Sequence, residues 1–208
     1  MTEPVVLPSS TVDEMSVLFA GYAPWPVPWP VGTTADVAST VAFLRDGDQL
    51  MIVDPGFVPD RKAILDPLAA LGYSPDDITD VIFSHHHPDH TLNAALFPNA
   101  QVHDVWGIYR NDKWTFRPSE GAPVSPGIRL LATPGHSEAD ITTLVATDDG
   151  MVAFTHLWWD ATTPATDDPV GMDQEAFHLH RERVLALDPA LVVPGHGPAF
   201  VPGPDTPR

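Results

Sequence analysis

The chain has 208 residues, with 10 Lys and Arg against 28 Asp and Glu, for a formal net charge of −18 at pH 7. That length favours one domain spanning residues 1–208, and the charge argues against nucleic acid or an anionic membrane as the main partner, since both are bound through clustered cations. With no cysteine, disulfides, thiolate nucleophiles and Cys-type zinc fingers are excluded together, and any transition metal must be held by His and carboxylates.

From the start of the chain, Met1-Thr2-Glu3-Pro4 has no basic region, so a secretory signal is not expected and a cytoplasmic location is. No apolar run approaches the ~18 residues of a membrane span. Val17-Leu18-Phe19-Ala20 reads as a short strand. Residues 39–45 alternate and are β-branched, the turn Asp46-Gly47-Asp48 follows, and residues 49–53 are apolar, which together predict a hairpin. Between them lies Ala23-Pro24-Trp25-Pro26-Val27-Pro28-Trp29-Pro30, part of a chain with 24 prolines. Those prolines remove ladder donors, so residues 23–30 are expected to be an extended loop carrying two tryptophans.

Ile64, Leu65, Leu68 and Leu71 share one helical face, with Gly72 placed to end the helix. Ser74-Pro75-Asp76-Asp77 has the cap, proline and acidic first turn of a short helix. Residues 80–84 predict a buried strand and residues 91–97 a helix stopped by Pro98. Further strands are expected at 100–105, 127–132, 141–146, 150–155 and 191–193, and a helix at 173–187 with Phe177, Val184 and Leu187 inward. Strands and helices therefore interleave twice.

The chemistry is concentrated in Ser84-His85-His86-His87-Pro88-Asp89-His90. Residues i and i+2 of an extended segment share a side, so His85 and His87 can bind one ion. Pro88 is expected to block a regular continuation, bringing Asp89 and His90 out on another side, where they can hold a second. Imidazole and carboxylate ligands suit zinc, iron or manganese. Such ions lower the pKa of bound water and supply a hydroxide nucleophile without Ser or Cys. Thr133-Pro134-Gly135-His136 and Val193-Pro194-Gly195-His196 each follow an apolar strand, placing a histidine at a strand end.

The series His85-x-His87-x-Asp89-His90, Pro-Gly-His136 and Pro-Gly-His196-Gly, with Val53-Asp54-Pro55-Gly56, resembles the metallo-β-lactamase superfamily over about residues 17–200. The resemblance is to small stand-alone metallo-hydrolases of the domain-containing type. It implies an α+β fold, a four-layer αβ/βα sandwich with two divalent metal ions, zinc in the first instance, at one edge of the sheets. Carried over by position, His85, His87 and His136 would hold the first ion, and Asp89, His90 and His196 the second. Asp54 would orient ligand imidazoles from behind, and Asp89 would also take a proton from the attacking water. One position departs from the family: His156 stands where a bridging Asp is expected. A neutral imidazole has one lone pair for a metal, so His156 is expected to ligate one ion only. A single-ion site, or recruitment of Asp160 from roughly 13 Å along the strand, are the alternatives.

His86, His178 and His180 read as exposed or supporting residues, and His103 as structural. Trp25, Trp29, Trp106, Trp158 and Trp159 are candidates for the apolar wall of a pocket beside the metals, with a homodimer contact as the competing use. Of Trp158 and Trp159, one ring should face the metals and its neighbour away. The function expected is hydrolysis of a small-molecule ester, lactone, thioester or amide by metal-bound hydroxide. A non-haem iron oxidoreductase, an RNA phosphodiesterase and a non-catalytic metal binder are the alternatives.

Overall fold

The computed structural model describes residues 5–26 and 29–208. Met1–Pro4, where the absence of a signal was read, and Val27 and Pro28 of the Pro/Trp-rich stretch lie outside the described residues. β1 (Glu14–Phe19) pairs antiparallel with β2 (Val41–Asp46), and β2 forms the expected hairpin with β3 (Gln49–Val53). Gly47 closes that turn at φ 61°, a left-handed conformation that glycine adopts without steric cost. β4 (Asp80–Ile82) and β5 (Gln101–His103) add in parallel, and β6 (Gly107–Arg110) and β7 (Lys113–Phe116) add antiparallel, so the first sheet runs in chain order β1 to β7. The second sheet holds β8 (Pro123–Ser125), β9 (Ile128–Ala132), β10 (Ile141–Thr147), β11 (Gly150–Thr155) and β12 (Leu191–Pro194), ordered β12-β11-β10-β9-β8.

Each strand's two faces go to different layers, as a period of two requires. Ala42, Leu44, Met51 and Val53 face Ile128, Leu130, Val145, Val152 and Phe154 between the sheets. On the outer face of the first sheet, Val41, Phe43 and Ile52 pack on Ile64 and Leu68 of α1 (Lys62–Ala70). On the outer face of the second, Leu131, Leu144 and Val192 pack on Phe177 and Val184 of α3 (Gln174–Leu185). The result is the expected αβ/βα sandwich. Each fully buried Leu, Ile or Phe contributes roughly 1.5–3 kcal/mol relative to exposure.

As expected, the extended run does not continue past Pro88, which opens a short helix, α2 (Pro88–Thr91), where a proline's missing N–H costs nothing. One local expectation is corrected. The helix expected over 91–97 is a 3₁₀ turn, Leu92–Leu96. Residues 106–125 form β6, β7 and β8, strands too short and too broken by Gly and Pro for the alternation pattern to show.

Direction within the sheets positions the site. β3 and β4 are parallel, as are β11 and β12, and β9 runs with β11 because both are antiparallel to β10. The carboxyl ends of all five strands therefore open on one edge, where packed sheets with crossover helices gather ligand-binding loops. Backbone bonds close that edge between the sheets: Thr40 N–H donates to Gly195 O at 2.8 Å, and Ile141 N–H to Ser84 O at 2.8 Å. No helix among the described residues is long and apolar enough to cross a membrane.

Candidate metal centre

Asp54 ends β3 in the left-handed region, at φ 48°. Asp and Asn tolerate this conformation better than most side chains, and its strain is typical of sites the surrounding structure over-determines. The bend aims the carboxylate at the loop after β4. Asp54 Oδ1 accepts the Ser84 N–H at 2.7 Å, and Oδ2 lies 2.8 Å from His90 Nδ1. Ser84 Oγ is 3.0 Å from His85 Nδ1. With their Nδ1 atoms occupied, His85 and His90 turn their Nε2 atoms to the cleft, the arrangement by which outer partners orient metal-binding imidazoles.

The second sheet supplies the rest. Both Pro-Gly-His turns need their glycine because another element packs against it. A Cβ at Gly135 would meet the Phe177 backbone at 2.6 Å, and one at Gly195 would run into the His156 ring. His136 Nδ1 lies 2.7 Å from Asp168 Oδ2, and His196 Nδ1 lies 3.1 Å from the Ala38 carbonyl.

Two ligand groups form in the combination that the resemblance implies: His85, His87 and His136, and separately Asp89, His90 and His196, each with donor atoms within 4.8 Å of one another. His136 Nε2 and His87 Nδ1 are 3.0 Å apart, and Asp89 Oδ2 is 3.6 Å from both His90 Nε2 and His196 Nε2. Ligands on one tetrahedral ion at the usual bond lengths sit roughly 3.3 Å apart. The His85 and His90 Nε2 atoms are buried and, among the described residues, have no hydrogen-bond partner. Orphaned nitrogens at this depth are costly unless something fills the space between them. The donor set therefore fits divalent metal ions.

The shifts at four of the cluster's five perturbed imidazoles agree with that use, and His90 is the exception. Burial, followed by neighbouring imidazoles, pushes His85 and His156 well below the ordinary histidine value, and burial is the first cause lowering His87. Burial and His90 lower His196 to about 4. At His90 burial opposes the charged form, but Asp54 outweighs it and raises the value. Neutral imidazoles present the lone pairs that metals require.

His156, just beyond β11, is 2% exposed and lies among the ligands, 4.6 Å from His85, 4.0 Å from His136 and 5.0 Å from His196 between ring centroids. Neither of its ring nitrogens has a partner among the described residues. It groups with His85 and His90, and also with His136 and Asp168. Asp160 does not join them: its Oδ1 accepts from Thr162 N, Thr162 Oγ1 and Thr163 N, holding a turn.

The tryptophans divide. Trp159 stands 5.5 Å from the His196 ring, and Trp29, Val37, Trp159 and Val170 wall a cavity of about 340 Å³ floored by His87, Asp89, His136 and His196. Trp25 packs edge-on against Trp159 at 5.9 Å. Two pocket assignments are corrected. Trp158 is fully buried against α3 with its indole donating to Pro207 O, while Trp159, next in the turn after β11, takes the metal side. Trp106 stacks on His86, 5.0 Å away, in a separate hollow with Phe83 and Tyr109; His86 itself points outward to Asp104. His103 bonds Asp80 at 2.7 Å, and His178 bonds Asp167 at 2.8 Å, both away from the cluster.

Sequence reasoning missed Asp168 and Arg181. Asp168 sits in an irregular acidic loop with no pattern pointing inward. Arg181 lies on a helix rich in charged residues, yet it is fully buried and donates to Leu157 O and Pro164 O, both at 2.8 Å. Burial lowers its guanidinium to about 10. A weak signal existed: Arg181 falls four residues after Phe177 and three before Val184, on their apolar face.

The Metallo-beta-lactamase superfamily profile matches residues 34–166. Metallo-beta-lactamase domain-containing protein 1 of Xenopus laevis is 29% identical over 191 residues, covering 88% of this chain and 79% of that protein. The protein of the same name from Rattus norvegicus is 33% identical over 195 residues, covering 82% and 74%. A Thermotoga maritima structure assigned to the metallo-β-lactamases is similar with a TM-score of 0.72 at 23% identity, over 91% of this chain and 99% of that one. An N-acyl homoserine lactone hydrolase, with N-hexanoyl-L-homoserine product bound at its catalytic metal centre, gives 0.66 at 21%, over 90% and 94%. The chain belongs to the metallo-β-lactamase superfamily and has its fold.

Proposed function

We propose that the protein hydrolyses a neutral small-molecule ester, lactone, thioester or amide using two zinc ions, one at His85, His87 and His136 and one at Asp89, His90 and His196, with His156 binding one of them. The observation that carries this reading is the set of buried, unpartnered nitrogens on His85, His90 and His156, clustered with the His87, Asp89, His136 and His196 side chains that floor an apolar cavity. When bound, the ions supply an ionised water as nucleophile and polarise the carbonyl it attacks. The chain's own residues do the rest. Trp29, Val37, Trp159 and Val170 hold the apolar part of the substrate and exclude bulk water. Asp89, whose Oδ2 faces His90 Nε2 and His196 Nε2 at the cavity floor, would take the proton of the attacking water on its other carboxylate oxygen and pass it to the leaving group as the acyl bond breaks.

No Lys or Arg lines the cavity among the described residues. That supports an uncharged substrate and weighs against a phosphodiester, which needs cationic contacts. The lactone hydrolase among the similar structures makes a lactone with an apolar acyl chain the first substrate to assay. Elemental analysis of purified protein, followed by an ester, lactone and thioester panel, tests the reading. About two zinc ions per chain with hydrolysis of a panel member supports it. Iron with a visible chromophore and oxygen-dependent turnover would replace it with the oxidoreductase alternative.

A further inference from the structure

Asp168 is a buried carboxylate directly behind His136, 1% exposed, in the loop between β11 and α3. Its Oδ2 faces two donors, His136 Nδ1 at 2.7 Å and Trp159 Nε1 at 3.2 Å, and its Oδ1 accepts Val170 N–H at 3.0 Å. The backbone beneath it is clamped by α3: Gln174 Oε1 accepts Asp168 N–H at 2.9 Å, and Gln174 Nε2 donates to Asp168 O at 2.6 Å. Arg181, from the same helix, holds the preceding stretch through Leu157 O and Pro164 O, and reaches Thr166 O at 3.3 Å. A carboxylate oxygen can only accept, so the proton between Asp168 and His136 sits on His136 Nδ1. Nε2 is then left with a lone pair, and it points at His87 Nδ1 from 3.0 Å.

We propose that Asp168 is a positioning residue that fixes His136 as the Nδ1–H tautomer, presents its Nε2 lone pair to a metal ion, and ties that ligand to the Trp159 wall of the substrate cavity. The proposal rests on the reading of His136 as a metal ligand. The candidate ligands comprise five or six imidazoles and one carboxylate, Asp89. Asp168 and Asp54 therefore place negative charge directly behind one imidazole from each sheet, which raises ligand basicity and offsets the positive charge of the ions. The shared oxygen also makes the wall and the ligand one rigid unit: a shift of the indole strains the hydrogen bond that orients His136.

Zinc affinity by chelator competition, on full-length protein stripped of metal, tests this. Asp168→Asn weakens zinc binding by about 10- to 100-fold, and Asp168→Glu recovers part of it. Affinity in Asp168→Asn equal to wild type, with a native circular dichroism spectrum, overturns the proposal. Should that variant fail to fold, nitrogen–proton correlation NMR of the unaltered protein decides: an Nδ1–H tautomer at His136 with and without zinc supports the proposal, and an Nε2–H tautomer overturns it. His136→Ala separates the parent reading, because zinc binding unaffected by that change removes His136 from the ligands altogether.

Discussion

The His156 ring lies against the His136 ring, with centroids 4.0 Å apart and planes 27° from parallel. The imidazole at the position of an expected carboxylate is thus stacked on a histidine that Asp168 orients. Burial disfavours charge on His156 first, and the neighbouring imidazoles add to the effect.

A working His156 gives a specific substitution pattern. His156→Ala is expected to lower metal affinity or stoichiometry by about tenfold or more, read by elemental analysis and chelator competition. His156→Asp restores the charge but not the reach or the stacked surface, so hydrolysis should also fall. A large gain in turnover for His156→Asp would mean that the position had lost its function.

Asp54 does two jobs that two variants separate. Asp54→Asn keeps a side chain tolerant of positive φ but loses the charge behind His90, so metal binding should weaken by about 10- to 100-fold. Asp54→Ala loses the same contact and adds the left-handed penalty of roughly 1–2 kcal/mol. Denaturant melts of the metal-free proteins should place Asp54→Ala below Asp54→Asn by about that amount.

Asp80 provides a pH test away from the metals. Burial would raise its carboxyl, but hydrogen bonds from His103, Thr79 and Gln101 outweigh that and hold it below the ordinary 3.8. A lowered folded-state value stabilises the protein above the unfolded pKa, and that contribution is lost as pH falls through the folded value. Asp80→Asn should therefore be less stable than wild type at pH 7, with the gap closing below about pH 4. Thermal melts from pH 7 to pH 3 would show it; a gap that is constant with pH contradicts the ion-pair account.

Trp29 tests the cavity wall without touching a ligand. Trp29→Ala is expected to raise KM for substrates with a long acyl chain by at least about tenfold, from the loss of roughly 1.5–3 kcal/mol of apolar contact. Metal content should stay the same. Equal KM changes for acetyl and long-chain substrates would place the acyl group elsewhere.

Removing metal should lower stability as well as activity. An ion binding only the native state at about 100 times its dissociation constant adds about 2.7 kcal/mol. Chelator treatment is therefore expected to abolish hydrolysis and lower Tm, with zinc restoring both.

The histidine cluster was legible because its chemistry is local: His85 to His90 are adjacent in sequence, and each Pro-Gly-His follows an apolar strand. The hairpin 39–53 and both crossover helices also show in period and turn residues. What escaped depends on distance. Asp168 meets His136 across 32 residues of separation, from a loop whose acidic neighbours look solvated. Arg181 carries only the weak signal of its spacing from Phe177 and Val184, and its burial shows once its guanidinium is seen over the Trp158 and Phe177 rings. Residue type alone groups Trp106 and Trp158 with the cavity, whereas the turn after β11 and the β5–β6 turn send them elsewhere.

The backbone bonds from Thr40 to Gly195 and from Ser84 to Ile141 run across the seam between the sheets at the edge where the histidines converge. His85, His87, Asp89 and His90 lie on one side of that seam, and His136, His156 and His196 on the other. An ion gripped from both sides would act as a rivet, so opening the seam and releasing the ion would be one event. The loaded protein would then resist proteolysis and exchange its metal on the same slow timescale, whereas the stripped protein would open first along this edge.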